Sequence, residues 1–404
     1  MTMRPIRETI PLAQALDLLL RDLRPIDRTE HVPLERANGR ILSKAITSPV
    51  DVPPFDRAAM DGYAVIAADT FGASRAQPAT LRRVETIFTG DAATRVLGAG
   101  ECMEIATGAP IPSGADAVVM VEETEPAGDD RILVMTPVYP RQHIGPRAAD
   151  IAAGLTILAA GQLLNPSRVG AIAAIGAADV EVFAQPTVAV ISTGNEIIEP
   201  GQPLAPGQIH DINRFTLSAV IAEHGGVPVP MRTAADSLDA LEGAVTSAAS
   251  TDLLVFSGGS SVGTRDLVLD VIRQRGEVIF HGIAVKPGKP TAFGRIDGRP
   301  VLGMPGYPTS CLSNAYILLV PLLRRLARLP DYQPRRLRLP LARRIVSPTG
   351  RHQFYTVRID DGAAVPAFKG SGDITSMSQA DGYIEIPTHT DIVAEGDLVD
   401  VTLF

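Results

Sequence analysis

Residues 253–266 read LLVFSGGSSVGTRD, and LVLDVIRQRG follows at 267–276. An apolar run enters a glycine- and serine-rich turn and leaves as an amphipathic segment. That order predicts a buried strand, a loop and a helix. The loop has neither the Walker lysine nor the dinucleotide glycine spacing. Backbone N–H groups in such a turn, ahead of a helix N-terminus, form an anion nest. Ser257, Gly258, Gly259, Ser260, Ser261, Gly263 and Thr264 make up the turn. Asp266 is its odd member, because a carboxylate repels phosphate unless a cation lies between them. A phosphate–Mg²⁺ site is therefore expected. A plain strand–helix turn with Asp266 as N-cap is the bland alternative, but capping alone does not need so many small polar residues.

Outward from this loop, strands and helices alternate from residue 186 to about 329. PTVAVIST, VPVPM, DLLVFSGG, EVIFHGIAV and PVLGMPG read as strands. NRFTLSAVIAEHG, SLDALEGAVTSAAS, DLVLDVIRQRG and TSCLSNAYILLVPLLRRLARL read as helices. Short connections between them predict a central parallel α/β sheet. Ligands of such sheets sit beyond the carboxyl ends of the strands. Those ends carry Thr193, Gly194 and Glu196, the 257–266 loop, Lys286-Pro-Gly-Lys289-Pro, and the turn at 303–310 with Pro305, Gly306 and Ser310. The two lysines flank a rigid turn and are expected to converge on one anion. Thr309 and Ser310 are expected to cap the next helix. Glu196 is a candidate metal ligand or base.

The flanks have a different texture. PLAQALDLLLRDL at 11–23 predicts a helix, and PVDVPPFD at 49–56 an extended linker. Short strands between turns fill 57 to about 145, and the alternation returns beyond LPDYQPRRLRLP. The expected fold is a multidomain α/β and β protein. It comprises an elongated N-terminal domain (1–50 plus 146–184), an inserted small β domain (51–145), the α/β domain (185–332) and a C-terminal β domain (333–404).

Bulk properties exclude several classes. Net charge is −8 over 404 residues, aromatics are 4 % and Trp is absent, so nucleic acid is not an expected partner. Cys102 and Cys311 stand outside any metal-spacing motif and read as buried free thiols. The histidines form no HExxH or HxH pattern, and no GxSxG elbow occurs. No signal peptide and no membrane span is read, so the expected location is cytoplasmic.

Eight stretches in order resemble the MoeA family of molybdopterin molybdenumtransferases: DVPPFDRAAMDGYAV (51–65), IATGAPIPSGADAVVMVEET (105–124), VAVISTGNEIIEPG (188–201), GQIHDINRFTL (207–217), LVFSGGSSVGTRD (254–266), VKPGKPTAFG (285–294), GMPGYPTS (303–310) and FKGSGDITSMSQADGYIEIP (368–387). The resemblance implies a molybdopterin-binding central domain that takes adenylylated molybdopterin and molybdate. It implies metal insertion with Mg²⁺-assisted release of AMP. On that basis Asp266 and Glu196 are metal- or substrate-positioning acids, and Asp236 is a further active-site acid. Lys286, Lys289 and Ser310 gather oxyanions. Asp61 and Thr107 are the inserted domain's contribution, and Arg351 belongs to the fourth domain's side of the cleft. A homodimer is implied, with the molybdopterin adenylyltransferase and acceptor molybdoenzymes as partners.

The chain departs from the family pattern in places. Gly145 and Ala149 stand where an arginine and an acid are usual, with Arg147 as a candidate substitute. Asn195 replaces a common Asp, Ser260 a common Val, and Tyr307 a common Asn. These departures keep a second expectation open, a non-catalytic molybdopterin-binding scaffold or chaperone paralogue. A third, an adenylyltransferase acting one step earlier, is disfavoured by the KPGKP lysines and the four-domain layout.

Overall fold

The computed structural model describes residues 8–259, 266–347 and 350–404. The chain divides into two compact units. One comprises Met1–Glu30, Gly39–Ile41 and Val182–Phe404, the other His31–Asn38 and Leu42–Glu181. Helix α1 (Leu12–Leu20) belongs to the first unit and buries Ala15 and Leu19.

The second unit holds a six-stranded sheet. Its strands are β1 (Gly62–Val65), β2 (Ala79–Ile87), β3 (Glu101–Ile105), β4 (Ala117–Met120), β5 (Thr124–Pro126) and β6 (Arg131–Val134), in the order β4-β1-β3-β2-β6-β5. Side-chain alternation gives the sheet two apolar faces. Tyr63, Val65, Cys102 and Val119 pack on one, and Ala64, Met103, Ile105 and Val118 on the other. At the base, Ile46–Thr47 pairs with Thr156–Leu158 and Val52 bridges Ile151, which brings both ends of the intervening segment together. Helix α2 (Pro166–Ala174) follows, capped by the Asn165 side chain.

In the first unit the sequence runs β7 (Thr187–Ser192), α3 (Asn213–Glu223), β8 (Val227–Pro230), α4 (Leu238–Ser247), β9 (Leu253–Ser257), α5 (Leu267–Arg275), β10 (Gly276–His281), β11 (Ala292–Ile296) and β12 (Arg299–Met304). The sheet order is β8-β7-β9-β12-β11-β10. The first four strands are parallel. Both faces of β7 and β9 are covered, so these two strands are near-continuous apolar runs. Val188, Val190, Leu253 and Val255 pack with α3. Ala189, Ile191, Leu254 and Phe256 pack with α4 and α5. Full burial of each such side chain is worth about 1.5–3 kcal/mol.

The sheet is mixed: β11 and β10 are antiparallel to their neighbours. The cause is a two-residue connection, Asp297-Gly298, with both residues at positive φ (50° and 79°). A crossover to a parallel strand needs far more chain, whereas Asp-Gly suits a tight hairpin.

Helices α6 (Pro308–Asn314) and α7 (Val320–Leu326) are separated by a π-helical stretch at Ala315–Leu319, just before Pro321. Proline lacks the N–H that would continue an α-helical ladder. The unit ends in a sheet of β13 (Arg336–Pro340), β14 (His352–Asp360), β15 (Ala363–Pro366), β16 (Gly382–Ile386) and β17 (Leu398–Leu403), over a core of Leu341, Val357, Ile384 and Val401. Its first strand is supplied from outside the segment, since Val285–Lys286 pairs in parallel with β14. Cys102 and Cys311 are both buried free thiols.

Candidate functional site

The parallel register places three strand ends side by side, with Ser192 opposite Ser257 and Ser257 opposite Met304. The chain passes from β7 outward to β8 through α3, then back across to β9 through α4. This reversal opens a crevice at the carboxyl ends of β7 and β9. The loops leaving those ends are locked together. Thr193 N–H donates to the Ser257 carbonyl at 3.0 Å, and Gly258 N–H to the Met304 carbonyl at 3.2 Å. Gly258 and Gly259 have φ of +91° and +69°. A Cβ on Gly258 would lie 2.8 Å from the Thr193 carbonyl oxygen, and one on Gly259 2.9 Å from Thr193 Oγ1. Only glycine permits this backbone approach.

A cleft of about 1440 Å³ opens above these loops. Thr193, Gly194, Glu196, Asp236, Ser257, Gly258, Gly259, Lys289, Pro305 and Gly306 line it, so ten of the expected site residues meet in one place. The Glu196 carboxylate folds back over Gly194, where an added Cβ would be 2.6 Å from Glu196 Oε2. Asp236 N–H donates to Asn195 Oδ1 at 3.2 Å.

The structure adds residues that sequence reasoning missed. His210, Asp211, Asn213 and Asp239 also line the cleft. Asn213 Nδ2 donates to Ser257 Oγ and to the Gly306 carbonyl, both at 2.8 Å, and so ties two loops together. Ser192 Oγ, Thr193 Oγ1, His210 Nδ1 and Asn213 Oδ1 are buried with no hydrogen-bond partner among the described residues. In native folds such buried polar atoms are satisfied by a bound ligand or by water. HDIN at 210–213 falls inside the family-like stretch GQIHDINRFTL, but no residue spacing of its own assigns it a role.

Other expected residues lie elsewhere. Lys286 and Ser310 do not line the cleft. Lys286 sits in the strand beside β14, and Ser310 is buried in the first turn of α6. The two lysines are therefore not both part of the lining. Capping by Thr309 and Ser310 is not seen either. The N-cap is Tyr307, without a side-chain cap bond, and Thr309 Oγ1 donates to the Asp373 carbonyl at 2.8 Å. Arg351 is exposed just ahead of β14 and is not among the lining residues. Asp61 and Thr107 pair in the second unit, where Asp61 Oδ1 accepts from Thr107 N at 2.6 Å and Oγ1 at 2.9 Å. Those bonds hold the Asp61 carboxyl below its usual range. Ser260, Ser261, Gly263 and Thr264 lie outside the described residues.

Asp266 is the N-cap of α5, accepting from Leu269 N–H at 3.1 Å. Its other oxygen is 3.6 Å from His281 Nε2, beyond hydrogen-bond range. Burial pushes the Asp266 carboxyl up to about 6 and lowers His281. The contact is therefore a half-buried carboxylate against a neutral imidazole rather than an ion pair. Among the described residues no three His, Cys, Asp or Glu side chains gather as a metal cluster.

Residues 10–176 match the family model described as "MoeA N-terminal region (domain I and II)", residues 189–325 the "Probable molybdopterin binding domain", and residues 338–404 the "MoeA C-terminal region (domain IV)". The chain is 37 % identical over 395 residues to molybdopterin molybdenumtransferase 2 of Mycobacterium tuberculosis, covering 95 % of this chain and 96 % of that one. It is 36 % identical over 318 residues to the molybdopterin molybdenumtransferase of Haemophilus influenzae, covering 78 % of each. A crystal structure of a molybdopterin biosynthesis MoeA protein from Pyrococcus horikosii superposes with a TM-score of 0.84 at 42 % identity, covering 98 % of this chain and 99 % of that one.

Proposed function

The chain belongs to the MoeA family, and from that premise we propose that it is a molybdopterin molybdenumtransferase that inserts molybdenum into adenylylated molybdopterin and releases AMP. One observation carries the reading. A single cleft collects a lysine, several carboxylates and buried hydroxyls without partners among the described residues, at the switch point of an α/β sheet.

The lining supports chemistry on anions only with cationic help. Lys289 shares the cleft lining with Glu196, Asp211, Asp236 and Asp239. A phosphate or molybdate entering there needs further positive charge. Hard carboxylate oxygens fit Mg²⁺, which commonly takes one or two carboxylates plus substrate phosphate. Asp266 fits that role on this structure's own terms: it is not itself among the lining residues but adjoins Leu267, which is, and it is a half-buried carboxylate with Oδ2 3.6 Å from His281 Nε2 whose charged form burial disfavours. Asp266 and Glu196 would hold the ion, and bound there it would neutralise charge at the phosphate. The protein's part is positioning. Lys289 attracts and orients the anion, the interlocked glycine turns fix the floor, and Thr193 and Ser192 offer hydroxyls to substrate oxygens.

Four further elements belong to this proposal. They are the four-domain division given above, a homodimer, a cytoplasmic location, and hand-over from the adenylyltransferase to acceptor molybdoenzymes. No helix among the described residues is long and apolar enough to cross a membrane.

The scaffold reading has one observation in its favour. Arg147, the candidate substitute for the missing arginine, is held by Asp51 through Nε at 2.5 Å, and its backbone N–H by Asp56 at 2.7 Å. The test is AMP release from adenylylated molybdopterin by purified protein, with and without molybdate and Mg²⁺. Molybdate-dependent release is the expected result. Tight substrate binding without release would replace the enzyme by the scaffold.

A further inference from the structure

Tyr307 is a large aromatic side chain left 66 % exposed on the cleft wall, in a chain where aromatics are scarce. Its backbone is fixed between Pro305-Gly306 and Pro308, and its carbonyl accepts the Cys311 N–H at 2.8 Å. The ring is backed by the 371–374 segment, since a Cβ on Gly372 would sit 3.5 Å from Tyr307 Cδ1. That segment is itself anchored. Thr309 N–H donates to the Ser371 carbonyl at 3.1 Å, and Thr309 Oγ1 to the Asp373 carbonyl. Ile374, Leu204 and Ile209 share the cleft lining and are also exposed apolar groups.

The cleft thus has exposed apolar surface at Tyr307, Ile374, Leu204 and Ile209, and buried polar atoms without partners among the described residues at Ser192, Thr193 and Asn213. Those three residues are 2 %, 4 % and 7 % exposed. A saccharide would leave the apolar groups uncovered, and a lipid tail would leave the polar atoms unpaired. A planar nitrogen heterocycle satisfies both, because its face stacks and its edge hydrogen-bonds.

We infer that Tyr307 is a stacking platform for a planar heterocycle of the substrate, and so a specificity-determining residue of this chain. The inference rests on the function proposed above and deepens it. Two parts of that substrate have the required chemistry, the purine of the AMP moiety and the pterin.

The test is calorimetric binding of AMP, of pterin-6-carboxylate and of ribose 5-phosphate to wild type and to Tyr307→Phe, Tyr307→Leu and Tyr307→Ala. AMP release is measured on the same preparations. Because the side chain is exposed, all variants should melt with wild type. Loss of one stacked base corresponds to binding weaker by roughly tenfold to a hundredfold. The expected result is that loss in the Ala and Leu variants for one heterocycle, with retention in Phe and no change for ribose 5-phosphate. The affected probe says whether the purine or the pterin stacks. Equal binding by wild type and Tyr307→Ala, with AMP release intact, overturns the platform and leaves the function standing. Failure of wild type to bind either heterocycle, with no AMP release, overturns both.

Discussion

Substituting alanine at Gly288 puts the loop between the two lysines to a quantitative test. Gly288 has φ +105°, and an added Cβ would lie 2.4, 2.5 and 2.7 Å from the three amide atoms of Asn314. Contacts under 3 Å force a movement, and Asn314 has nowhere to go. It is fully buried, and its Nδ2 donates to the Gly288 carbonyl at 3.0 Å and to Thr291 Oγ1 at 2.5 Å. The left-handed backbone costs a Cβ-bearing residue about 1–3 kcal/mol. Losing the two Asn314 bonds adds about 1 kcal/mol each. A total of about 3–5 kcal/mol follows, and at ~2–4 °C per kcal/mol the melting temperature should fall by at least ~6 °C. Gly298→Ala is the matched control, because Gly298 also has positive φ (+79°) but nothing within 4 Å of a Cβ. It should cost about 1–2 kcal/mol. Differential scanning calorimetry of both variants decides the matter. Equal melting temperatures for Gly288→Ala and Gly298→Ala would refute the argument that Asn314 fixes this loop.

Asn213→Ala removes the tie between the Ser257 and Gly306 loops and leaves the Gly306 carbonyl short of a donor. It should cost about 2–3 kcal/mol and speed amide exchange at 257–259 and 304–306, read by hydrogen-exchange mass spectrometry. His224 is 4 % exposed among Tyr316 and Tyr332, and burial lowers its pKa below the ordinary 6.5. Its unfolded form therefore binds the proton first. Its contribution is intact above about pH 6.5 and is lost as the pH falls through the lower folded value. Urea unfolding at pH 8 and pH 5 should show a smaller acid loss in His224→Phe than in wild type. Asp266→Asn keeps a capping side chain on α5, so its melt should match or exceed that of wild type while AMP release disappears. Unchanged release would remove Asp266 from the mechanism.

The strand–turn–helix rhythm from 186 onward was legible because strands covered on both faces need unbroken apolar runs and the connections are short. The direction of β10 and β11 was not read, although Asp297-Gly298 carries the hairpin signal; TAFGRIDGRPV contains no helix pattern to separate two strands. The strand-end loops were read as a site because glycines and hydroxyls concentrate there. His210 and Asn213 escaped, since their roles depend on register between β7, β9 and β12 and no local spacing encodes it. Lys286 and Ser310 were assigned from the family resemblance and from the turns they border. Strand pairing and helix burial instead place them outside the cleft lining.

The short strand Val285–Lys286 has a consequence for how this protein can be divided. It hydrogen-bonds in β14's sheet, with Val285 opposite His352 and Lys286 opposite Gln353, while the chain resumes in β11 of the neighbouring sheet six residues later. Val285 is wholly buried in the core that also holds Phe354. A cut at residue 333, where the composition changes, would therefore strip this strand of its partner and bare an apolar edge. The central module is not a separable cassette. Grafting or truncation schemes that treat the last seventy or so residues as an accessory should yield aggregating protein unless residues 350–357 travel with it.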